Sequence, residues 1–76
     1  MMLAYVQVSL NKRNERDVYD KLINMPEVKE AHILFGEWDI IALLDMDSPE
    51  HLGSFVMENI RSLPGVNLTS TMIVAK

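Results

Sequence analysis

Apolar and polar residues alternate along the start of the chain. Met2, Ala4, Val6 and Val8 fall on one side of an extended segment and Leu3, Tyr5, Gln7 and Ser9 on the other, the two-residue period of a half-buried strand. The period then changes. Val18, Leu22 and Met25 recur at helical spacing with Tyr19 and Ile23 beside them, so an amphipathic helix follows. Asn11 and Asn14 are both candidate N-caps, and Asp17 suits the positive end of the helix. Pro26 stops that helix, because its ring cannot continue the hydrogen-bond ladder. A second strand is predicted from Val28 to Phe35, with Ala31, Ile33 and Phe35 on one face and His32 and Leu34 on the other. The turn Gly36-Glu37-Trp38-Asp39 is short enough to make an antiparallel hairpin with a third strand, Ile40 to Met46.

Ser48, Pro49 and Glu50 read as cap, first-turn proline and dipole-matched acid. Leu52, Phe55, Val56, Ile60 and Leu63 give the helix behind them its apolar stripe. Gly53 lies inside that helix at a cost of about 1 kcal/mol relative to alanine, which a close helix contact would explain. Pro64-Gly65 ends the helix, and Leu68 to Ala75 forms the last strand.

The chain also nearly repeats itself at an offset of 38 residues. Asn24-Met25-Pro26-Glu27-Val28 is echoed by Ser62-Leu63-Pro64-Gly65-Val66, Val18 and Leu22 by Val56 and Ile60, and Met2, Ala4, Val6 and Val8 by Ile40, Ala42, Leu44 and Met46. Self-similarity of this kind marks one supersecondary unit used twice. Two copies are too few for a solenoid, so they close on each other in one sheet. The expected order is β-α-β-β-α-β, an α+β ferredoxin-like fold with four antiparallel strands and two helices, as a single domain over residues 1–76. Right-handed crossovers put both helices on the same side of the sheet.

Composition turns that fold toward assembly. A domain of 76 residues buries only about 60% of its unfolded surface. The chain has no cysteine, which removes disulfides and thiolate metal sites together. The helices cover the side of Val6, Val8, Ala42, Leu44 and Met46; the other side still carries Leu3, Tyr5, Ile41 and Leu43, a large apolar patch to leave in water. A sheet-to-sheet homodimer is therefore expected. The longest apolar run, Ile40 to Leu44, is far short of the roughly 20 residues that cross a bilayer. Nothing at the N-terminus resembles a signal peptide, so a cytoplasmic protein with no membrane partner is expected. A formal charge of −4 argues against direct nucleic-acid binding, which needs clustered cations.

No nucleophile elbow or metal-ligand spacing is present, and no metal or cofactor is expected. His32 and His51 stand alone, and Asp45 and Asp47 read as a solvated strand end beside a helix cap. Two places stand out. The turn at Gly36 to Asp39 sets an aromatic, acids and a flexible backbone at a loop tip, where binding residues concentrate. The second is Thr69-Ser70-Thr71, three consecutive hydroxyls on the last strand.

The segment Ala31 to Ala42 with its Gly36-x-x-Asp39 turn, then Leu63-Pro64-Gly65-Val66 and Thr69-x-Thr71, closely resembles the effector-binding (RAM) domain of Lrp/AsnC-type regulators over essentially the whole chain. The resemblance implies a ferredoxin-like domain that dimerises through its sheet into a dimeric α/β barrel, with dimers assembling into rings, from tetramers to decamers of dimers. It implies a non-enzymatic module of transcriptional regulation that binds amino acids or related metabolites in clefts between dimers. The ligand-binding residues it points to are Gly36, Trp38, Asp39, Thr69 and Thr71, with Asp39 taking the ligand's amino group. Full-length members carry an N-terminal helix-turn-helix, whereas this chain begins at the first effector-domain strand. A stand-alone module is therefore expected, modulating full-length Lrp/AsnC regulators. Two other readings compete with it. One is a small dimeric α/β-barrel enzyme, monooxygenase- or isomerase-like, using Tyr5, His32 or Asp45 in the inter-sheet pocket. The other is an assembly module with an empty cleft. ACT domains share the strand order, but the glycine-bearing first loop expected of them is missing here.

Overall fold

The internal repeat is visible in the backbone of the computed structural model, which describes residues 2–76. Strand β1 spans Met2–Leu10, helix α1 Glu15–Ile23, β2 Val28–Ile33, β3 Ile40–Met46 and α2 Pro49–Phe55, continued by a π-helical turn over Val56–Ile60; β4 spans Val66–Ile73. After each helix the chain makes the same two turns: Met25 N–H donates to Leu22 O and Val28 N–H to Met25 O, and 38 residues on Leu63 N–H donates to Ile60 O and Val66 N–H to Leu63 O. The strands form one sheet in the order β2-β3-β1-β4 with every neighbouring pair antiparallel. This is the βαββαβ ferredoxin-like arrangement read from the sequence.

The core follows the alternation. Ala4, Val6 and Val8 of β1 and Ile40, Ala42, Leu44 and Met46 of β3 are buried under Val18 and Leu22 of α1 and Leu52, Phe55, Val56 and Ile60 of the second helix. Ser48 caps α2, its Oγ accepting His51 N–H at 3.1 Å, and Pro49 opens the helix where no intrahelical donor is needed. The π-helical turn is closed by Arg61 N–H donating to Val56 O at 2.8 Å. On the other face Leu3, Ile41 and Leu43 remain half-buried and Tyr5 exposed, as the face count required. Met72, opposite Tyr5, and Val74, bonded through its N–H to Leu3 O, extend that apolar face.

Several local expectations are corrected. β2 ends at Ile33, and Phe35 stands wholly exposed instead of sharing a face with Ala31. The chain leaves the sheet after Ile33, where Leu34 N–H donates to Asp39 O and the loop begins. Separately, a bulge between Val28 and Glu30 lets Val28 and Ala31 both face the core. Asn14 occupies the α1 cap position without capping it: its Nδ2 donates to Pro64 O at 2.8 Å, tying the start of α1 to the turn after the second helix. α1 ends at Ile23, three residues before Pro26. Gly53 is exposed, with open space where a Cβ would stand, so no close contact within the protomer explains it. β4 begins and ends two residues earlier than predicted. Among the described residues no helix is long and apolar enough to cross a membrane.

Candidate functional site

The candidate loop is built on one end of the sheet. Leu34 to Asp39 connects β2 to β3, and Leu34 N–H donates to Asp39 O at 2.8 Å to close it. Gly36 takes a positive φ of 154° with nothing near its missing Cβ. Gly36 and Glu37 are exposed and Trp38 half-buried, so backbone and indole are both presented at the tip.

Asp39 anchors this loop. Its N–H donates to Val8 O at 2.9 Å, and its Oδ2 accepts Leu10 N–H at 2.7 Å. The ladder between β1 and β4 shifts register between Ser9 and Leu10, a break in regular pairing that leaves main-chain groups in need of other partners. Side chains supply two of them: Asp39 takes the Leu10 donor, and Ser9 Oγ accepts Leu68 N–H at 3.2 Å. The aspartate singled out for a ligand's amino group thus spends one carboxylate oxygen on the fold. No hydrogen bond to its other oxygen, Oδ1, is found among the described residues. Sequence reading missed Leu10 and Ser9 altogether, because a bulge and a main-chain donor leave no residue-type signature.

Thr69 lies opposite Val8 and Thr71 opposite Val6 on the outermost strand, on the helix-side face of the sheet; Thr69 is half-buried and Thr71 exposed. Val8 in turn lies opposite Ile40, the residue after Asp39. β1 therefore stands between the two groups, a separation of roughly 9.5 Å for two strand spacings. One protomer sets Gly36, Trp38 and Asp39 near the same end of the sheet as Thr69, but does not gather them and Thr71 around one enclosed point.

The remaining polar side chains are used locally. Lys29 Nζ lies 3.6 Å from Asp45, His32 Nε2 3.3 Å from Glu30 and His51 Nδ1 3.7 Å from Asp47. Such exposed pairs contribute about 0–1 kcal/mol. Asp45 and Asp47 meet different side chains, Lys29 and His51, and make no carboxylate pair. Tyr5, His32 and Asp45, the candidates for an enzyme, share the open sheet face but stand in different cross-strand rows. Among the described residues no three His, Asp or Glu side chains gather as metal ligands. A shallow depression on α1, lined by Asp17, Asp20, Lys21 and Asn24, lies away from both candidate groups.

Comparison with known proteins matches this architecture to the Lrp/AsnC ligand binding domain over residues 3–76. An uncharacterized HTH-type transcriptional regulator of Pyrococcus furiosus is 36% identical over 59 residues, covering 78% of this chain and 39% of that protein. The HTH-type transcriptional regulator FL11 of Pyrococcus horikoshii is 33% identical over 75 residues, covering 99% of this chain and 49% of its own length. The chain thus spans half or less of these curated relatives. The crystal structure of FFRP-DM1 superposes with a TM-score of 0.91 at 40% identity, covering 97% of this chain and 99% of that one. At the level of fold alone, the transcriptional regulator NMB0573 of Neisseria meningitidis, solved as an L-Met complex, has a TM-score of 0.86 at 23% identity and covers 99% of this chain and 50% of that one. Fold and family match over nearly the whole chain lead to one assignment: the chain belongs to the Lrp/AsnC ligand-binding domain family.

Proposed function

We propose that this chain is a non-enzymatic sensor that binds an amino acid or a related small metabolite and passes that state to transcriptional regulators of its own family. Membership of a regulatory ligand-binding family carries the reading, and the L-Met complex of a structural relative supports an amino acid as the ligand class. The loop at Gly36, Trp38 and Asp39 would meet the ligand's charged ends: the free Asp39 oxygen the ammonium, the amides beside Gly36 the carboxylate. Thr69 and Thr71 of a second protomer would complete the enclosure, since β1 separates the two groups within one chain. The apolar open face around Tyr5, Leu43 and Met72 supports assembly by sheet-to-sheet pairing.

A thermal-shift screen against the twenty amino acids tests the proposal. Ligand at 100 times its dissociation constant adds about 2.7 kcal/mol, and at about 4–8 °C per kcal/mol for a domain this small the melting point rises by on the order of 10–20 °C. No shift with any amino acid at millimolar concentration would refute an amino acid as the ligand. Asp39→Asn refines the roles, because the amide oxygen can still accept Leu10 N–H while the negative charge is gone. Affinity falling at least tenfold in a folded Asp39→Asn chain supports ammonium binding by Asp39; unchanged affinity removes Asp39 from the ligand.

A further inference from the structure

Three connections meet at the end of the sheet that carries the candidate loop: residues 11–14 between β1 and α1, 34–39 between β2 and β3, and 61–65 between the second helix and β4. The chain from Leu10 to Asn14 is bonded to both of the others. Leu10 N–H donates to Asp39 Oδ2 at 2.7 Å. The next amide, Asn11 N–H, donates to Gly65 O at 2.9 Å, and Asn14 Nδ2 donates to Pro64 O at 2.8 Å.

Charge is spread unevenly over these connections. Residues 11–14 and 61–65 hold Lys12, Arg13 and Arg61 and no carboxylate, in a chain whose 11 acids outnumber its 7 bases. All three cations are exposed. Glu15, Asp17 and Glu58 lie close to them in sequence, yet among the described residues none comes within ion-pair distance; the three pairs found engage Lys29, His32 and His51 instead. Folding thus leaves three like charges unpaired on two segments that hydrogen bonds hold to each other. Such a cluster repels itself and raises the local concentration of anions.

We infer that these cations receive a second acidic group of the ligand, so that the proposed sensor takes an amino acid with an acidic side chain; the inference rests on the sensor reading. The ligand's ammonium meets Asp39, its α-carboxylate meets the amides beside Gly36, and its remaining carboxylate extends toward residues 11–14. Lys12 is two residues past Leu10, whose N–H Asp39 holds, so the two Cα atoms are at most about 7 Å apart. Arg13 and Arg61 offer the planar fork that a carboxylate accepts bidentately. Glu37, exposed at the hairpin tip, would suit a cationic side chain instead. Three unpaired cations on segments tied to the Asp39 anchor outweigh that one acid.

Paired thermal-shift titrations test it, comparing glutamate with glutamine and aspartate with asparagine, with lysine as the opposite charge. At least one acid binds at least tenfold more tightly than its own amide, and added salt narrows the ratio because the cations are exposed. The Lys12→Gln, Arg13→Gln double variant, altered only at exposed loop positions, lowers that ratio at least fivefold. Lys21→Gln, in the last turn of α1, leaves it unchanged. Equal affinity for acid and amide, or tighter binding of lysine, overturns the inference while the sensor stands. A wild-type ratio in the folded double variant overturns it as well. Binding of no amino acid at all removes an amino acid as the ligand, and the inference with it.

Discussion

Gly65→Ala probes the joint between the two halves of the repeat. Gly65 has φ of 90°, and a Cβ there would lie 2.8 Å from Asn14 Oδ1, 2.9 Å from Nδ2 and 3.1 Å from Cγ. Holding an L-residue in left-handed backbone costs about 1–2 kcal/mol. The new methyl also displaces the Asn14 amide, whose Nδ2 donates to Pro64 O at 2.8 Å; a typical hydrogen bond of that kind contributes about 0.5–1.5 kcal/mol. The expected loss is therefore roughly 2–3 kcal/mol. That is large for a chain of this size, whose whole stability is on the order of 4–11 kcal/mol. Asn14 supplies the control. Its Oδ1 is buried with no partner among the described residues, so Asn14→Ala gives up one hydrogen bond but also relieves one unsatisfied oxygen, and comes out within about 1 kcal/mol of wild type. In the double variant the collision is gone and only the backbone penalty remains, about 1–2 kcal/mol. Urea unfolding of the four chains at one fixed protein concentration reads the cycle, with association held constant. A Gly65→Ala loss below about 0.5 kcal/mol, or strict additivity with Asn14→Ala, would refute the reasoning.

Other substitutions test the remaining joints. Asp39→Ala leaves Leu10 N–H without its acceptor and costs about 1.5–3 kcal/mol by urea unfolding, against a smaller loss for Asp39→Asn; equal losses would show that the bond at 2.7 Å contributes nothing. Ser48→Ala removes the α2 cap and lowers stability by about 1 kcal/mol, seen as a lower melting temperature. Gly53→Ala, at an exposed helix position with room for a methyl, raises stability by about 0.5–1 kcal/mol; destabilisation measured in the dissociated chain would contradict the open space found there. Leu44→Ala at the fully buried centre of β3 costs about 2–5 kcal/mol, read as a lower urea midpoint.

Residue pattern alone determined the order of elements, both turn positions and the faces of β1 and β3 that meet the helices. It could do so because Ala4, Val6, Val8, Ala42, Leu44 and Met46 are simultaneously strand-periodic and internally repeated, and both signals demand the same core. The Gly36-x-x-Asp39 turn and the Thr69 and Thr71 pair were legible for the same reason: they are local spellings of residue type. What tertiary structure alone decided was how the ends of elements are tied. Asn14 has the residue type of a cap but is drawn to Pro64, far along the chain, because the two helix-flanking turns meet in space. Asp39 reads as a ligand group, yet it also holds Leu10 N–H, because the register shift beside it disturbs a ladder that no sequence period records. The bulges beside Val28 and Glu30 and beside Ser9 and Leu10 likewise exist only once strands have neighbours. Periodicity reports which side chains seek oil, since that preference is carried by each residue; the pairing of backbone donors and acceptors depends on partners distant in sequence, and only the assembled sheet supplies them.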